Sequence, residues 1–195
     1  REPSRKILVR DHERSLPYLV TRLDTDDARE RHALENVLVR IGGPAVAQVT
    51  EALRREAARG DVTRGARLAA TVLGRIGDSA AVAPLAELTG HRDWKVRGAA
   101  AGALGRIGTG DAVPALATAL EDVNEVVRKS AAVALRRVAA RAYNEENPDR
   151  GAAEALDERV VSSLVASLSD GSYAVRYGAS DALAAMGAHL SLIHI

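Results

Sequence analysis

Apolar residues recur along the chain at i, i+3 and i+7, the spacing that places side chains on one face of a helix with 3.6 residues per turn. Leu16, Leu19 and Leu23 form the first such set, then Val46, Val49 and Leu53, Val113, Leu116 and Leu120, and Val161, Leu164 and Leu168. Val82, Leu85 and Leu88 give a slightly compressed version. Pro17, Pro44, Pro84 and Pro114 fall near the starts that this pattern assigns, where a missing N–H costs little. Behind the sets comes a second, Ala-rich pattern: Val96, Ala100, Ala103, Leu104, Ile107, then Val127, Ala131, Ala134, Leu135, Val138, then Val175, Ala179, Ala182, Leu183, Met186. Small residues there let neighbouring helices approach closely. Asp27, Asp93, Asn124 and Ser172 each stand fifteen residues before the close of their unit. Short polar side chains at that place accept hydrogen bonds from first-turn N–H groups.

The close itself repeats. Arg40-Ile41-Gly42, Arg75-Ile76-Gly77 and Arg106-Ile107-Gly108 fade into Arg137-Val138-Ala139 and Ala185-Met186-Gly187, at successive spacings of 35, 31, 31 and 48 residues. Gly42, Gly77, Gly108 and Gly187 are expected to end their helices as left-handed caps. Five helical hairpins follow, at 13–42, 43–77, 78–108, 109–139 and 157–187. An N-terminal segment over 1–12 precedes them, and 140–156 is an insertion. Insertions in such arrays map to loops on one edge that often contact ligands, so Tyr143, Glu145 and Glu146 are candidates, against a tolerated surface excursion. The tail 189–195 matches neither helix and is expected to be disordered or non-native. The chain begins at Arg1 rather than Met, as a fragment would.

Val96-Arg97 followed by Ala99, Ala100, Ala103, Leu104, Gly105 and Ile107-Gly108 resembles the short HEAT repeats of phycobilin lyases. The runs from Val127-Arg128 to Val138 and from Val175-Arg176 to Gly187 are similar to it. This resemblance covers roughly residues 13 to 188 and implies an all-α fold, a right-handed α-solenoid of about five HEAT-type hairpins. For function it implies a protein-binding scaffold or adaptor that uses a concave surface. A bilin lyase-like or other enzyme accessory subunit is one alternative, and a nucleic-acid-binding protein like the HEAT-like alkylpurine glycosylases is another.

Composition narrows the field. Aromatics make up 3% of the 195 residues and Phe is absent, which suits thin layers of closely packed helices. With no Cys there is no disulfide, thiolate metal site or cysteine nucleophile. No apolar run approaches the ~20 residues that span a bilayer. A cytoplasmic protein off the membrane, and a monomer, is therefore expected. The net charge of +1 provides no whole-molecule field, which argues against nucleic acid as the partner and for a protein or peptide. Five scattered histidines (12, 32, 91, 189 and 194) show no HExxH pairing. Phosphate-loop and GxSxG motifs are missing, and Gly102-Ala-Leu-Gly105 lies in a helix as a packing feature. No catalytic residue, cofactor or metal is expected.

Three groups of side chains remain as candidates. Trp94 and Tyr173 follow the caps of two second helices, with Tyr177 one turn beyond the latter. Second helices usually line the inner face of a solenoid, so these aromatics, with Lys95 and Gly98 beside Trp94, are candidate partner anchors; packing across the inter-repeat turn is the competing account. Arg40, Arg75, Arg106 and Arg137 share one phase, as a basic ridge for an acidic partner or phosphate backbone, or as last-turn cations that complement helix dipoles by ~0.3–1 kcal/mol. Near-neutral charge favours the dipole account. Arg31, Arg97, Arg128 and Arg176 recur in the first turn of a second helix, with Asp122 and Asp170 six residues before the last two. They are read as a structural ladder bonded to turn groups.

Overall fold

The computed structural model describes residues 9–59, 64–144 and 149–193, with side chains through 187. Among the described residues the chain forms helices and no strands: α1 (His12–Thr21), α2 (Ala28–Ile41), α3 (Gly43–Ala58), α4 (Arg64–Ile76), α5 (Val82–Glu87), α6 (Trp94–Ile107), α7 (Val113–Ala119), α8 (Glu125–Ala142), α9 (Arg150–Ala155), α10 (Glu158–Ser167) and α11 (Tyr173–Ile193). Three 3-10 turns, Ser79–Ala81, Leu88–Gly90 and Gly110–Ala112, extend the short helices α5 and α7. Hairpins α1/α2, α3/α4, α5/α6, α7/α8 and α10/α11 stack so that α2 packs on α4, α4 on α6, α6 on α8 and α8 on α11. The result is an α-solenoid with one continuous apolar core from Leu16 to Met186.

Three of the four expected caps act through their side chains: Asp27 accepts from the N–H groups of Arg29 and Glu30, Asp93 from Lys95 and Asn124 from Val126. Small residues set the helix spacing. A Cβ on Gly74 would stand 2.6 Å from the Ala103 Cα, and one on Gly105 would stand 2.5 Å from the Ala134 Cα. Gly108 ends α6 in the left-handed region at φ 72°, ψ 21°. Gly42 also has a positive φ of 70°, but its ψ of −136° turns the chain straight into α3, so it links two helices instead of forming a left-handed cap.

Five other expectations need correction. Gly187 caps nothing: α11 runs through it to Ile193, carrying the helix into a tail expected to match neither pattern. Pro17 lies inside α1, not at its start. It sits on the exposed side, where the carbonyl it leaves unbonded faces water. Leu168 is 40% exposed while its counterpart Leu120 is buried, because no described repeat follows the fifth to cover it. Val160, rather than Val161, joins Leu164 in the core there. The insertion is packed: α8 extends to Ala142, and α9 lies against α8 and the Gly110–Ala112 turn with Ala152 and Leu156 buried. Glu145 and Glu146 lie outside the described residues. No helix among the described residues is long and apolar enough to cross a membrane.

One edge of the stack is tied together by arginine. Arg97 donates through Nη1 to the carbonyls of His91 and Arg92 in its own turn, and through Nε and Nη2 to Asp122 of the next repeat at 2.5 and 2.8 Å. Arg128 repeats this with the carbonyls of Asp122 and Val123, and with Asp170 at 2.6 and 3.1 Å. Arg31 donates to the carbonyls of Thr25 and Asp26, and Arg176 to those of Asp170 and Gly171. The six-residue spacing therefore pairs each arginine with main-chain oxygens, while the carboxylates face the preceding repeat. Both carboxylates are held below the usual aspartate range, first by the hydrogen bond from Arg97 or Arg128 and then by the N–H of Asn124 or Ser172. Where the third repeat has His91, the Asp93 N–H donates to Nδ1, so Nε2 carries the proton donated to the Ala57 carbonyl.

Candidate partner-binding groove

The stacked second helices expose their N-terminal halves along one face. A groove of about 810 Å³ crosses them there, lined by residues of α2, α4, α6 and α8. Trp94, Lys95 and Gly98 lie at its middle. Trp94 is 37% exposed, with the Lys95 ammonium 5.7 Å from its ring centroid. At Gly98 the nearest atoms to an added Cβ would be 3.8 Å away, so the glycine leaves open floor.

Several of the charges on the walls are already committed. Arg31 bonds to its own turn, Arg64 is ion-paired with Asp26, and Glu35 accepts from Arg75 at 2.9 Å. His32 Nε2 lies 2.9 Å from the Asn36 amide nitrogen. Arg67 and Lys95 have no carboxylate partner among the described residues. The groove thus offers an indole, an opening above Gly98 and two cations, Arg67 and Lys95, without carboxylate partners among the described residues.

The other candidates fall elsewhere. Tyr173 and Tyr177, 71% and 57% exposed, stack with ring centroids 6.1 Å apart on α11, outside the groove lining. Arg176 lies 5.8 Å from the Tyr173 ring. Tyr143 ends α8 and packs partly buried against the core. Of the arginine row, Arg75 is tied to Glu35, whereas Arg106 and Arg137 share a separate cleft without Arg40. Among the described residues, no group of three or more His, Asp or Glu side chains is placed to hold a metal ion.

Arg64, Lys95 and Val126, and likewise Leu68, Ala99 and Ser130, occupy the same two positions of three successive repeats, and all six line the groove. Of the six, only Lys95 is among the candidate binding residues, and Ala99 belongs to the repeat signature. Carrying the phase of Lys95 back and forward by 31 residues finds its two partners in the first set.

Residues 51–136 match the family model for HEAT repeats. That stretch carries HEAT repeats. No curated protein sequence matches it. Among solved structures, this chain is similar to a chain in the complex of CpcE and CpcF of phycocyanin lyase from Nostoc sp. PCC7120, at 21% identity and TM-score 0.69, covering 86% of this chain and 97% of that one. A designed armadillo repeat protein in complex with the peptide (KR)4 is similar at 18% identity and TM-score 0.58, over 93% and 84% of the two chains. Kap95p, solved bound to RanGDP, matches at 17% identity and TM-score 0.65 over 93% of this chain and 24% of its own. At these identities the likeness is one of fold.

Proposed function

We propose that the HEAT array is a protein-binding scaffold, rather than a catalyst, and that it seats a segment of a partner in the groove across α2, α4, α6 and α8. The observation that carries this reading is the exposed Trp94 beside Lys95 and Gly98 in a groove of about 810 Å³. Trp buries a large area with few rotatable bonds, which is why it so often dominates interface energy. Support also comes from the fold, since the designed armadillo protein holds a peptide and Kap95p holds RanGDP.

The test is affinity capture with the full chain, quantified for the parent and for Trp94→Ala. Truncating a central anchor costs about 2 kcal/mol or more, roughly thirtyfold in affinity. A captured partner is expected to be lost with Trp94→Ala and retained with Val123→Ala, an exposed residue outside the groove. Because Trp94 is the only tryptophan, its fluorescence also reports occupancy directly. A partner captured equally well by Trp94→Ala, with no change in parent fluorescence, refutes the reading.

A further inference from the structure

Toward the other ends of α6 and α8, Arg106, Arg136, Arg137 and Arg141 line a cleft of about 440 Å³ with Gly105 and Ala140. None of these residues lines the groove around Trp94. The helix dipole accounts for Arg106, which lies in the last turn of α6. It does not account for Arg137. Helix α8 continues to Ala142, the cation in its last turn is Arg141, and the dipole effect fades beyond that turn.

Internal partners leave the cleft short of negative charge. Arg141 donates to the Ile107 carbonyl, and Arg136 stands 3.8 Å from Asp181. Neither Arg106 nor Arg137 has a carboxylate partner among the described residues. Burial, then Arg137, and also Arg75 push the Arg106 guanidinium below the ordinary arginine value, with only Glu35 acting the other way. Like charges gathered around a concavity repel one another, and a bound anion relieves that repulsion.

We propose that this cleft binds an acidic peptide segment of a protein partner, its carboxylates pairing with Arg106 and Arg137. The inference rests on the scaffold reading but uses different residues, so the two fail separately. A peptide fits better than nucleic acid because the chain carries a net charge of only +1 and the cations gather in one pocket rather than along a stripe. Spacing adds a requirement. The contact of Gly105 with Ala134 keeps α6 and α8 near the close end of the ~8–10 Å range for packed helices. A polyproline-type segment rises ~3.1 Å per residue with three residues per turn, so it returns a side chain to one face about every 9 Å. Acidic residues at every third position therefore match the step from one repeat to the next.

The experiment uses the full chain and a fluorescein-labelled (Glu-Pro-Ala)4 peptide, followed by anisotropy at low salt. The matching (Gln-Pro-Ala)4 peptide and a duplex DNA oligonucleotide serve as comparisons. Binding of the Glu peptide alone is expected. It should weaken about tenfold or more in Arg106→Glu/Arg137→Glu. The milder Arg106→Gln/Arg137→Gln pair, checked for helix content by circular dichroism, carries the test if charge reversal disturbs folding. Trp94→Ala should bind the peptide as the parent does. The proposal is overturned if the parent ignores the Glu peptide, or if both arginine pairs bind it unchanged. Loss with Trp94→Ala instead, or tighter binding of duplex DNA through the same arginines, overturns it equally.

Discussion

Asp122→Ala removes one rung of the arginine ladder, and its cost follows from the geometry. The carboxylate accepts Nε and Nη2 of Arg97 at 2.5 and 2.8 Å, and its Oδ1 also accepts the Asn124 N–H at 2.8 Å. The two side chains are 9% and 14% exposed, so solvent screens the pair only weakly. Removing one partner of a fully buried pair costs ~3–5 kcal/mol. Two features lower that figure here: the guanidinium keeps the carbonyls of His91 and Arg92, and water can reach the vacated site. A loss of about 2–3 kcal/mol is expected, in the range of one to two charge-assisted hydrogen bonds.

Urea denaturation followed by far-UV circular dichroism measures the total, with Glu121→Ala as an exposed neighbour for reference. In a repeat array the damage should stay near the junction it breaks. Amide exchange is therefore expected to speed up in the turn after α7 and in the first turns of α6 and α8, while α2 and α4 keep their protection. A cycle of Arg97→Ala with Asp122→Ala isolates the pair and should give a coupling of about 1 kcal/mol or more. A loss below about 0.5 kcal/mol, or a coupling of zero, would refute the claim that these contacts hold adjacent repeats together.

The ladder also makes stability depend on pH. Because folding lowers the pKa of both Asp122 and Asp170, their contribution is complete above the unfolded aspartate value, about pH 4, and is lost as pH falls through the folded one. Urea midpoints taken across that acid range should fall more steeply for the parent than for Asp122→Ala/Asp170→Ala. Arg128→Lys keeps the charge but cannot serve two carbonyls and both carboxylate oxygens at once; a loss of about 1–2 kcal/mol is expected in the same urea assay. Two glycines of one helix should respond with opposite signs in thermal melts. Gly105→Ala overpacks Ala134 and costs ~1–3 kcal/mol, whereas Gly102→Ala, with only the Arg106 side chain 3.8 Å away, gains up to ~1 kcal/mol of helix propensity.

Repetition is what made the array legible. Val96, Ala100, Ala103, Leu104 and Ile107 are almost wholly buried in the structure, as are their counterparts in α8, because each position faces the same neighbours once per repeat. The same logic failed at the end of the chain. Leu168 and Gly187 carry the residues of an interior repeat without a described neighbour to impose the interior structure. The length of α8 was also hidden: Ala139 stands where other units have glycine, and without it the helix runs on to Ala142. At the candidate sites the sequence located Trp94, Lys95 and Gly98, yet it could not show that Arg136 and Arg141 join Arg106 and Arg137. That grouping depends on α8 extending past its repeat boundary and lying against α6.

An arginine at the first-turn phase is committed to the stack. Those in the first turn of a second helix give donors to turn carbonyls, and in Arg97 and Arg128 the remaining donors go to carboxylates, so mutating them should affect stability before binding. Of those lining the cleft, Arg106 and Arg137 have no carboxylate partner among the described residues. Trp94 and Arg106 mark the groove and the cleft on a single helix, 12 positions apart, or about 18 Å at 1.5 Å per residue. An extended segment covers that distance in about six residues. One partner segment could therefore span both sites only with about that many residues between the part that contacts Trp94 and its acidic part. Joining a groove-binding peptide to the Glu-Pro-Ala probe through linkers of graded length tests this directly. Affinity should jump once the linker reaches the span and then decline slowly as it lengthens. A fused peptide that binds no better than its stronger half at any linker length would mean that the two sites are occupied separately.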